Sequence, residues 1–117
     1  MADSKLVRDL IPEIMRADGT EFETRVACSD ELPLLLRDKL VEEAHEVADA
    51  RDDRSVVEEL ADVLEVIHAY ASWLGVGVPE IEQMRQAKRA QRGGFGAGIV
   101  LVSPPGESGC RRAGRCR

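Results

Sequence analysis

Glu43 with Glu46, and Glu59 with Asp62, are the residues of this chain best placed to do chemistry. Each pair is spaced i, i+3 within a helical pattern, so its two carboxylates share one side of a turn. The spacing also matches between the pairs. Two helices folded back about the polar stretch Arg51–Ser55 set Glu46 opposite Glu59 and Glu43 opposite Asp62. Four converging carboxylates repel one another unless something positive sits among them. A hard divalent cation with oxygen ligands is the natural partner, and Mg²⁺ commonly arrives with substrate phosphates attached. A single acidic pair on a helix is ordinarily a solvated face. The matched second pair, with both pairs beside an apolar arc, is what points to a site.

The elements that must carry these acids are two long helices. The first spans about Leu32–Asp49, with Asp30 as its expected N-cap and Pro33 in its first turn. At 100° per residue, Leu36, Leu40, Ala44, Val47 and Ala48 form its apolar arc, with Glu43 and Glu46 at one edge. The second spans about Val56–Leu74, with Ser55 and Glu58 in the pattern of a capping box. Val56, Leu60, Val63, Leu64, Ile67 and Ala71 form its arc, again with acids at the edge. A short helix is expected around Ile11–Arg16. A third long one, about Pro79–Gln91, follows the break at Gly75-Val76-Gly77. Phe22–Ala27 and Ile99–Val102 read as short strands that could pair as a small β-hairpin.

Composition agrees with packed helices. Aromatic residues make up 3% of the 117-residue chain, so the core of this single domain must be aliphatic. The net charge is −6, and the last seven residues hold four arginines and no acid. The remainder therefore carries 12 basic against 22 acidic residues, which argues against duplex nucleic acid as a partner. No apolar run approaches a membrane span or opens the chain like a signal segment. Cys28, Cys110 and Cys116 have no zinc spacing. A cytoplasmic protein with free thiols is expected, with Cys28 a small buried hydrophobe. The domain is expected over residues 1–102, and 103–117 read as a disordered, Arg-rich tail.

Other side chains carry two readings each. Glu42 could serve as general base or outer ligand, or be a plain surface acid. Lys88, Arg89 and Arg92 could grip phosphates, and they equally suit the end of a helix dipole. Lys5 and Arg8 mean little alone. Tyr70 and Trp73 could stack on a base, although a packing interface is the commoner role of such rings. His45 falls on the exposed side, and His68 beside the apolar arc reads as structural.

The run Glu42-Glu43-Ala44-His45-Glu46, followed by Glu58-Glu59-Leu60-Ala61-Asp62, resembles the acid signature of the all-α nucleoside triphosphate pyrophosphohydrolases. That superfamily includes MazG, dimeric dUTPases and phosphoribosyl-ATP pyrophosphohydrolase. The opening Lys5-Leu6-Val7-Arg8-Asp9-Leu10-Ile11-Pro12 and the later Lys88-Arg89-Ala90-Gln91-Arg92-Gly93-Gly94-Phe95 also resemble small MazG-like proteins. The likeness covers roughly residues 5–102. It implies an all-α antiparallel bundle in which Glu43, Glu46, Glu59 and Asp62 hold Mg²⁺, or alternatively Mn²⁺. It implies Glu42 as the catalytic carboxylate that supports the site or helps activate water, and Lys5, Arg8, Lys88 and Arg92 on the substrate phosphates. The activity implied is cleavage of a nucleoside triphosphate, non-canonical or deoxy, to monophosphate and pyrophosphate by a homodimer or homotetramer. A phosphoribosyl-ATP pyrophosphohydrolase and a non-catalytic helical module that uses metal for structure, or simply oligomerises, are the rival expectations.

Overall fold

Two long helices, joined by a connection of only three residues, carry the acids. The computed structural model describes residues 4–102. Its helices are α1 (Ile11–Ala17), α2 (Leu32–Asp49), α3 (Asp53–Leu74) and α4 (Val78–Arg92), and no strand forms among the described residues. The chain divides into two compact units, one running up to Ile81 and one from Glu82. The tail expected after residue 102, with Cys110 and Cys116, lies outside the described residues.

The helix ends have local causes, and two differ from expectation. At α2, Pro33 lies in the first turn, where a missing N–H costs nothing. The expected side-chain cap from Asp30 is not made. The residue before the helix is Glu31, and it makes no capping hydrogen bond. Instead the Glu31 and Leu32 N–H groups donate to the Cys28 carbonyl, at 3.0 and 3.1 Å. Two Arg25 N–H groups engage the Glu31 carboxylate, at 2.8 and 2.5 Å. At α3 the cap is Asp52, whose Oδ1 accepts from the Ser55 N–H at 2.8 Å. The helix therefore starts at Asp53, and Ser55 lies inside it. Glu58 faces Arg54 across a turn at 3.6 Å in place of closing a capping box. Gly75 ends α3 with φ of 79°, a left-handed conformation that glycine adopts without strain.

The two expected strands are absent. Phe22–Ala27 and Ile99–Val102 have no regular structure, because neither has a backbone ladder beside it. Cys28 is exposed, as is His68, in contrast to the buried and structural roles expected of them.

The pair α2 and α3 forms an antiparallel hairpin. Among the described residues, Leu36, Val66 and Ala71 are its buried apolar side chains, and Glu43 is buried with them at 8% exposure. Glu59, Asp62, Val66 and Tyr70 recur at helical spacing, so the side of α3 carrying the acids continues into the packed side. Arg37 Nε on α2 donates to the Tyr70 hydroxyl on α3 at 2.8 Å, and Tyr70 meets Trp73 edge-on with ring centroids 6.5 Å apart. Of the apolar arc expected on α3, Val56, Val63, Ile67 and Ala71 are at least half-buried, while Leu60 and Leu64 face outward, Leu64 at 57%, and Val57 beside them is exposed as well.

Candidate metal centre

Glu43 comes from the middle of α2, and Glu59 and Asp62 from the first half of α3. One carboxylate oxygen from each lies within 4.8 Å of the others. The short link explains the meeting. α2 ends at Asp49 and α3 begins at Asp53, so the chain reverses within residues 50–52 and positions equidistant from the turn come face to face. Glu46, one turn nearer the link, is exposed and lies outside this group. Its charge still bears on Glu59.

Burial and repulsion act together on Glu59. Partial desolvation, followed by the charges of Asp62 and Glu46, a hydrogen bond with Asp62 and the charge of Glu43, holds its carboxyl above the usual range. Desolvation is the larger cause, and the neighbouring acids add to it.

Three cations partly offset the acids. Lys39, one turn before the pair on α2, places Nζ 3.3 Å from Glu42 and 3.5 Å from Glu43. Its side chain is largely buried, so this contact is the compensation that a sequestered Glu43 requires. Lys5 reaches Glu42 at 3.4 Å, and an Arg8 Nη2–H donates to Asp62 Oδ1 at 2.6 Å. Burial raises the Glu42 carboxyl, but the Lys39 charge and hydrogen bond, with a smaller contribution from Lys5, outweigh it and hold the group below its usual range. Counted together, Glu42, Glu43, Glu46, Glu59 and Asp62 stand against Lys5, Arg8 and Lys39. The excess is two negative charges with Glu46 counted, and one among the groups that converge or pair directly.

The donor set suits such an ion. All three converging ligands are oxygen, the preference of hard cations. Oxygens on opposite sides of Mg²⁺ are about 4.2 Å apart, and those around Ca²⁺ about 5 Å. A spread of up to 4.8 Å is wider than adjacent ligands on one ion, about 3 Å on Mg²⁺, so the three side chains would close in around it.

Of the sequence-derived candidates, Glu43, Glu59 and Asp62 meet, Glu42, Lys5 and Arg8 gather around them, and Glu46 stands at the margin. Lys88 and Arg92 belong to the second unit and are exposed. Lys39 was missed by sequence reasoning, although its i, i+3 and i, i+4 spacing to Glu42 and Glu43 was visible. A hollow lined by Arg16, Thr20, Glu21, Phe22 and Glu23 contains none of these acids. Arg16 lies over the Phe22 ring there, its Cζ 5.1 Å from the centroid, and packing of α1 on the segment after it accounts for the feature. The chain matches no protein-family model, no curated protein and no solved structure.

Proposed function

We propose that the chain is a Mg²⁺-dependent nucleoside triphosphate pyrophosphohydrolase of the MazG-like all-α type, acting on non-canonical or deoxy substrates in the cytoplasm. The observation that carries this reading is the convergence of Glu43, Glu59 and Asp62 from two helices onto one spot with uncompensated negative charge. When bound, the metal supplies neutralisation of phosphate oxygens and acidification of water. The three acids hold and orient the ion. Glu42, kept ionised by Lys39 and Lys5, accepts a hydrogen bond from the attacking water and takes its proton. Lys5 and Arg8 stand where phosphate oxygens would arrive. Water adds across the anhydride between the α- and β-phosphates, and the products are nucleoside monophosphate and pyrophosphate. Mn²⁺ suits the same oxygen donors.

Self-association belongs to the same reading. Val57, Leu60 and Leu64 repeat at i, i+3 and i+7 on α3 and lie exposed, which suits a homodimer or homotetramer that buries them. That stripe also favours a second reading, a helical oligomerisation module with no catalysis. The two part in one assay. Purified protein with Mg²⁺ is given canonical and damaged nucleoside triphosphates and phosphoribosyl-ATP, and pyrophosphate is measured. Release that Asp62→Asn abolishes supports the enzyme, and the preferred substrate separates the house-cleaning activity from the phosphoribosyl-ATP reaction. Absence of release with every substrate leaves only the module.

A further inference from the structure

The segment before α1 runs across both acid-bearing helices. Lys5 pairs with Glu42 on α2, and Arg8 pairs with Asp62 on α3. Leu6 between them is half-buried, while Lys5 and Arg8 are exposed at their outer surfaces. The Arg8 backbone is independently fixed, because its carbonyl accepts from the Ile11 N–H at 3.0 Å in the turn that starts α1. The guanidinium alone can therefore leave Asp62 while the segment stays in place. Arg8 donates to an Asp62 oxygen, and Asp62 is also one of the three converging acids. A carboxylate oxygen engaged by a guanidinium at 2.6 Å is not freely available to a cation.

Resting on the functional reading above, we propose that Arg8 is an exchangeable internal cation. It occupies Asp62 until a divalent ion arrives, yields the carboxylate to the ion, and then turns to the phosphates that the ion brings. The handover has a physical motive. A divalent ion gains more from Asp62 than an exposed guanidinium does, since it also binds Glu43 and Glu59. Once displaced, the guanidinium faces a site whose next occupant is anionic, and phosphate offers it a bidentate partner in place of the single hydrogen bond to Asp62. Lys39 plays no such part. Its ammonium is enclosed between Glu42 and Glu43 and stays with them.

A single substitution thus has opposite effects on two ligands. Mn²⁺ alone, and then inorganic pyrophosphate at saturating Mn²⁺, are titrated calorimetrically into full-length protein and its Arg8→Gln variant. Arg54→Gln, which removes the same charge from a pair outside the cluster, is the control. The expected result is Mn²⁺ binding tightened about two- to fivefold in Arg8→Gln, the worth of an exposed ion pair. Pyrophosphate binding is expected to weaken in the same variant, and Arg54→Gln to match the parent in both titrations. Unchanged or weaker Mn²⁺ binding in Arg8→Gln, unchanged pyrophosphate binding, or an equal response in Arg54→Gln overturns the exchange while leaving the metal centre standing. Absence of saturable Mn²⁺ binding in the parent protein removes the metal centre and the exchange with it.

Discussion

Glu59 is the residue on which stability and the proposed chemistry pull in opposite directions. Its pKa is raised in the folded chain, so the native state holds this proton more tightly than the unfolded state. The resulting stabilisation is present at pH below the unfolded carboxyl range and is lost as pH rises through the folded value. At neutral pH the ionised group opposes folding. Glu59→Gln is accordingly expected to raise the melting temperature of metal-free protein at pH 7. The same change is expected to lower metal-dependent turnover by at least about 100-fold, beyond the cost of losing an outer-shell partner. Calorimetric melting without metal and pyrophosphate release with it check the two halves. Lys39→Gln has the opposite effect on the fold. It leaves Glu43 buried at 8% exposure without its cation, and a loss of about 1–3 kcal/mol is expected in urea denaturation. The acids were legible because their spacing repeats. The burial of Glu43 was not, because a helical wheel places it at the edge of an arc and cannot say which edge another helix covers.

At the scale of elements, the positions of α2 and α3 could be read from apolar periodicity, but their beginnings followed competing local bonds. Asp52, three residues before Ser55, took the role expected of Ser55. Asp52→Ala is expected to cost about 1 kcal/mol. Chemical denaturation measures the loss, and faster amide exchange at Ser55 would locate it. The strands failed for a different reason. Weak alternation in Phe22–Ala27 and the β-branched run Ile99–Val102 record a preference for extended backbone, yet a strand exists only beside a partner backbone.

At the scale of the molecule, the described residues of the chain bury few apolar side chains. Leu36, Val66 and Ala71 are its buried apolar residues among those described, while Leu60, Leu64, Phe95 and Leu101 remain open to water, Phe95 at 98% exposure. Burying one leucine contributes about 1.5–3 kcal/mol, so a surface that covers several is a strong drive to associate. Leu60→Glu with Leu64→Glu is expected to convert an associated protein into monomers that keep their helical content. Sedimentation and circular dichroism decide this, and a parent chain that sediments as a monomer at tens of micromolar would contradict it. No helix among the described residues is long and apolar enough to cross a membrane.

The link from Asp49 to Asp53 has one more implication, for how such a chain tolerates insertions. An extra residue among positions 50–52 can bulge outward and leave the carboxylates meeting. The same residue added inside α3, between its cap and Glu59, turns Glu59 and Asp62 by about 100° around the helix axis and aims them away from Glu43. Length variation is therefore permitted at the elbow and forbidden one turn beyond it.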